Sequence, residues 1–258
     1  MTKQINIKEA LDWYIWAGVV ETCGDFACIE ENKTTTEPII RKEENIQPVK
    51  QNLESSAVKN AKDLCNSIST LSELFEALNK FNGCNLKNTA ASTVIGEGNH
   101  NADIMFIGEA PGADEDKMGK PFVGKCGKLL DKMLSAIDLN RDDCYITNVL
   151  PWRPPGNRTP TDDELAICLP FLKKQIELIK PKVIVLLGGI ALKSLMDSND
   201  SISRTRGKWL EYECEANKSI CTIATYHPSF LLRSSSQKSR AWADFLRLKN
   251  KINELEVD

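Results

Sequence analysis

Four short apolar runs, at 103–107, 145–149, 183–187 and 221–225, alternate with stretches of helical spacing at 125–137, 162–179 and 190–196, and a last such stretch covers 237–255. Runs this short, apolar at nearly every position, read as strands buried on both faces. Parallel neighbours need a crossover between them, and the helical stretches supply it. The pattern therefore specifies an α/β chain with a parallel sheet covered by helices on both faces.

The N-terminal part differs in character. One helical pattern is expected at 7–20, followed by a polar stretch at 30–56 rich in Glu, Lys, Thr, Asn and Gln with little periodicity, which reads as linker or disorder. Helical spacing returns at 57–81, where Leu64, Ile68, Leu71, Leu74, Phe75 and Leu78 share a face. The expected division is 1–60, a helix plus linker, and 61–258, the α/β domain.

Composition narrows the classes. The apolar stretch near Trp13 is too short to span a bilayer and lacks the pattern of a signal peptide, so the expectation is a cytoplasmic protein without membrane contact. Nine cysteines with no C-x-x-C pair read as reduced thiols, not a disulfide framework. A formal charge of −3 gives no sign of a strongly basic chain, but a local basic face is compatible with it.

Chemistry collects after the strands, where ligands of open α/β sheets bind. The first run is followed by GEAPG, an acidic Asp-Glu-Asp and then KPFVG; the second by NVLPWRPPGNR; the fourth by YHPSFLLR. Three strand ends thus deliver Glu109, Asn148 and His227 to one edge. The chain holds two histidines, and the other, His100, sits in a polar turn, which singles out His227. Neither G-x-G-x-x-G nor G-x-x-x-x-G-K-[ST] follows the first run, which weakens an ordinary nucleotide-binding reading.

Taken in order, GEAPG, GKPFVG, TNVLPWRPPGNRTPT, the run before Gly188-Gly189 and HPSFLLR resemble the uracil-DNA glycosylase superfamily, specifically its type-4 branch, over roughly 84–248. The resemblance implies a three-layer α/β/α sandwich around a four-stranded parallel sheet, in agreement with the four runs. It implies an enzyme of base-excision repair that flips uracil from DNA and hydrolyses its N-glycosidic bond. Phe122 then gives the flipped base an aromatic face, the alternative being a core Phe. Asn148 offers one donor and one acceptor to the uracil edge and mismatches cytosine, the alternative being a strand-end cap. His227 stabilises charge developing on O2, and Glu109 positions water and offsets the sugar cation. Glu115 walls the C5 side of the base, or belongs with Asp114 and Asp116 to a solvated helix start. Asn157 contacts water or phosphate, or is a turn residue. Leu231, Leu232 and Arg233 fall in the insertion loop that wedges the duplex open, and Lys120 and Arg158 reach phosphates, the alternative for each being a solvated surface charge.

The resemblance also implies a 4Fe-4S cluster on four cysteines. Here Cys84 and Cys168 stand at two of the positions, and Phe81 and Trp152 occupy the others. The expectation is a cluster-free variant without a cofactor, its vacated volume filled by the two aromatic side chains. Uracil-containing DNA is the expected partner of a monomeric enzyme, with 1–60 available to a repair or replication protein. The competing reading is a non-catalytic DNA-binding module on the same fold.

Overall fold

The computed structural model of the chain describes residues 56–214 and 218–255, which fall in one compact unit, 55–258. The helix expected at 7–20 and the polar stretch up to residue 55 lie outside the described residues.

Six strands form one sheet: β1 (Gly96–Gly98), β2 (Ile104–Gly108), β3 (Cys144–Asn148), β4 (Val183–Leu187), β5 (Trp209–Cys214) and β6 (Lys218–Thr225), in the order β1-β3-β2-β4-β6-β5. The four expected strands form its parallel centre, β3-β2-β4-β6. An antiparallel strand borders each edge: β1 against β3 and β5 against β6. The expectation of four strands is thus extended to six. The two additions lack a continuous apolar run because an edge strand buries less; β1 is Gly-Glu-Gly, and in β5 Glu211 and Glu213 interrupt the apolar residues.

Nine helices complete the described fold: α1 (Ser56–Asn66), α2 (Leu71–Lys80), α3 (Ala113–Met118), α4 (Lys125–Ser135), α5 (Asp162–Ile179), α6 (Gly189–Met196), α7 (Ile202–Thr205), α8 (Pro228–Arg233) and α9 (Lys238–Leu255). The stretch expected at 57–81 is split into α1 and α2. The break is Thr70, whose hydroxyl accepts from the Glu73 amide at 3.2 Å while the Glu73 carboxylate accepts from the Thr70 amide.

Strand residues alternate between two cores, which is what a sheet covered on both faces requires. Met105, Ile107, Tyr145, Ile184 and Leu186 pack under α1, α2, α5 and α6 with Leu74, Leu78, Phe171, Ile176 and Leu192. Ile104, Phe106, Ile146, Val183 and Val185 face α4, α8 and α9 through Leu130, Leu134, Leu231, Phe245 and Leu248. The result is the expected α/β/α sandwich. Among the described residues no helix is long and apolar enough to cross a membrane.

Candidate active site

Chain order along the parallel centre reverses between β2 and β4, since β3 lies on one side of β2 and β4 on the other. A crevice opens outside the carboxyl ends of strands at such a point. A cavity of about 650 Å³ occupies it, and Glu109, Phe122, Asn148 and His227 all line it. The structure therefore gathers residues that are up to 118 positions apart in the chain (109 to 227).

Phe122 and Asn148 meet beside Gly108, the last residue of β2, which pairs in register with Asn148, the last of β3. A Cβ on Gly108 would lie 2.6 Å from Phe122 Cζ and closer still to Asn148 Oδ1, so only a bare Cα lets the ring and the amide converge there. Phe122 and Asn148 are each 4% exposed. The Asn148 Oδ1 atom is buried without a hydrogen-bond partner. A buried carbonyl left in that state costs free energy, and a ligand N–H would relieve it.

His227 is the N-cap of α8, with Pro228 at the first helical position. Its Nδ1 accepts from the Ser229 amide at 3.0 Å, and Ser229 Oγ lies 2.8 Å from the same nitrogen. A nitrogen that accepts from an amide carries no proton, so the neutral ring holds its proton on Nε2. Burial, helped by the charge of Arg233, lowers its pKa from 6.5 to about 4. Its ring centroid lies 5.7 Å from that of Phe122. Glu109 is half-buried, and burial raises its pKa; no hydrogen bond among the described residues engages its carboxylate.

Glu115 reaches the cavity wall but is tied to backbone. Its Oε1 accepts from the amides of Val123 and Gly124 at 3.0 and 2.9 Å, and its Oε2 from Gly112 at 3.1 Å. It is 8% exposed, which rules out the solvated helix start, although Asp114 is exposed as that reading requires. Asn157 lines the cavity from an exposed turn with φ of 55°, its Oδ1 accepting from Arg153 Nε at 2.7 Å. Arg153 was not singled out from the sequence, and neither was Ser229. The His-Pro-Ser order of a helix start could have found the latter.

The rim is mixed. Leu232 is 48% exposed on α8 and Arg233 is exposed beside it. Leu231 is only 1% exposed and packs in the core with Phe106 and Phe245, which corrects its expected place in the wedge. One turn of helix cannot present two successive leucines to the same side. Lys120 and Arg158 are exposed, and each is held by a carboxylate: Lys120 by Glu97 at 2.6 Å and Arg158 by Glu164 at 2.6 Å.

The positions that the resemblance assigns to a cluster form a closed core. Phe81 and Trp152 stack with ring centroids 6.4 Å apart and planes 9° from parallel, and Phe171 meets Phe81 edge-on at 5.0 Å. Trp152 Nε1 donates to Thr93 Oγ1 at 3.1 Å. The interaction between the Cys84 and Cys168 thiols lowers the pKa of Cys84 and, with burial, raises that of Cys168. Two thiols and two packed rings do not fit a four-thiolate cubane. Among the described residues no group of three or more His, Cys, Asp or Glu side chains is arranged to hold a metal ion.

Comparison with known proteins bears on the same span. Residues 95–246 match the family model described as the uracil DNA glycosylase superfamily. The type-4 uracil-DNA glycosylase of Archaeoglobus fulgidus is 45% identical over 169 residues, covering 64% of this chain and 84% of that protein. Its namesake from Thermotoga maritima is 45% identical over 166 residues, with the same coverage of 64% and 84%. A type-5 uracil-DNA glycosylase of Pyrobaculum aerophilum is 28% identical over 147 residues, 51% of this chain and 63% of that one.

Proposed function

The chain belongs to the uracil-DNA glycosylase superfamily, and on that premise we propose the chemistry of its crevice. The protein removes uracil from DNA by hydrolysing the N-glycosidic bond, leaving an abasic site for base-excision repair. The observation that carries this reading is the buried, partnerless Asn148 Oδ1. Uracil N3–H supplies the missing donor, while the amide nitrogen donates to O4. Cytosine has an acceptor at N3 and an amino group at C4, so it would meet the amide acceptor to acceptor and donor to donor.

The flipped base lies against Phe122. As the C1′–N1 bond breaks, its electron pair leaves with the base and negative charge grows on O2. The neutral His227 donates from Nε2 to that oxygen, held in its tautomer by Ser229. Positive charge grows on the sugar at the same moment. Glu109, ionised, offsets it and orients the water whose oxygen bonds to C1′ and whose proton then passes to the carboxylate or to solvent. Glu115 holds the wall of the slot in place by its three backbone bonds. Asn157 and Arg158 take the strand beside the sugar, and Leu232 with Arg233 enters the gap left by the base.

The enzyme works without an iron–sulfur cluster, a reading supported by the stacked Phe81 and Trp152 in place of two ligands. It works as a monomer whose Glu109, Phe122, Asn148 and His227 share one cavity.

Cleavage of oligonucleotides carrying one uracil, single-stranded or opposite G or A, tests the reading on protein whose iron content is recorded. Alkali-labile breaks at uracil by iron-free protein are expected. In Asn148→Asp, uracil cleavage falls by at least about tenfold, and the ratio of cytosine to uracil cleavage rises. Tight DNA binding without breaks would leave the non-catalytic module instead, and stoichiometric iron would overturn the cluster-free assignment.

A further inference from the structure

Phe122 stands at φ of 52°, a left-handed conformation that a bulky residue does not adopt unless its surroundings impose it. The segment that carries it is gripped from two sides by opposite charges. On the amide side, the Glu115 carboxylate accepts from Val123 and Gly124. On the carbonyl side stands Arg141, from the turn that leads into β3. Its Nη2 donates to the Pro121 carbonyl at 2.7 Å, and its Nη1 to the Phe122 carbonyl at 2.8 Å.

Arg141 is itself braced. Nη1 also meets Asp131 of α4 at 2.9 Å, and Nη2 meets Glu97 of β1 at 3.3 Å. Glu97 in turn holds Lys120, the residue that opens the gripped segment. The side chain is 23% exposed, so its bonds are only partly screened. On the far side, a Cβ at Gly127 would run into the Phe122 carbonyl, so α4 fixes that oxygen where the guanidinium finds it. A planar fork with five donors is suited to two successive carbonyls and two carboxylates at once.

We propose that Arg141 is a positioning residue for uracil excision, acting through the peptides of Pro121 and Phe122 to keep the Phe122 ring in its slot against Gly108 and His227. The assignment rests on the reading of Phe122 as the face that receives the base. Without the guanidinium, the 121–122 carbonyls lose their anchor and the left-handed residue relaxes, swinging the ring off the slot. Arg141 itself does not line the cavity and reaches it only through Phe122.

A double-mutant cycle tests this. Arg141→Gln is expected to lower single-turnover kcat on uracil DNA by about tenfold with little change in KM, and by less than about twofold when Phe122 is already Ala. Arg141→Lys, which still reaches a carbonyl, restores most of the loss and serves in the same cycle should the Gln variant not fold. Hydrogen exchange at the amides of Lys120 and of Phe122, Val123 and Gly124 supplies a readout independent of activity: it quickens by about tenfold or more in the variant, with the central strands unchanged. Equal losses in both backgrounds, or unchanged exchange at those amides, would overturn the proposal. A wild-type protein that cleaves no uracil would overturn the glycosylase reading alone, since the exchange result stands by itself.

Discussion

Two ionisable side chains of the crevice are pushed by the same cause in ways that suit one protonation state. Burial favours the neutral form of each, raising the pKa of Glu109 and lowering that of His227 to about 4. The proposed reaction needs Glu109 charged and His227 neutral. As pH falls, Glu109 is therefore the first to leave its working state, and the acid limb of kcat/KM lies above the ordinary Glu value of 4.5. In Glu109→Gln, activity drops and the remaining limb moves down toward about 4, where His227 gains its proton; a pH–rate profile of the two proteins checks it. For stability the direction is separate. The unfolded His227 binds a proton below 6.5 and the folded one only below about 4, so its contribution is complete above 6.5 and is lost as pH falls through that window. These residues were legible because motifs carried them. Arg141 was not: it stands in an Arg-Asp-Asp turn without any motif, and its work is done through backbone atoms that no spacing reveals.

Elements were legible in proportion to what they bury. The runs that became β2, β3, β4 and β6 announce themselves because helices cover them on both faces. β1 and β5 do not, being edges held by main-chain bonds more than by apolar contact. α8 shows the limit from another side: two adjacent leucines look alike in sequence, and helical rotation alone sends Leu231 to the core and leaves Leu232 outside. The aromatic core at the positions that the resemblance assigns to cluster ligands is also an element-level feature, since it joins the end of α2, the loop after β3 and the middle of α5 through Phe81, Trp152 and Phe171. Trp152 is 1% exposed. Trp152→Ala should cost about 3 to 5 kcal/mol in a denaturant titration, with no part of the loss recovered by adding iron and sulfide during refolding.

Over the whole molecule, charge is nearly balanced, with Lys120 and Arg158 each paired to an acidic neighbour. DNA that takes up those two cations must displace their carboxylates. If each exchanges its carboxylate for a phosphate, Lys120→Gln and Arg158→Gln should each make the salt dependence of DNA binding shallower, by about one unit in the slope of log K against log salt, which fluorescence anisotropy across a salt series measures. The slot at Phe122 is fastened on one side by a carboxylate and on the other by a guanidinium, and it rests on a glycine that leaves no spare room. A receptor so rigid does not reshape itself around what arrives. The helix on the other side of the encounter is then left to do the moving, so unpaired uracil should be excised first, uracil opposite guanine next and uracil opposite adenine last, an order that single-turnover cleavage of the three substrates measures.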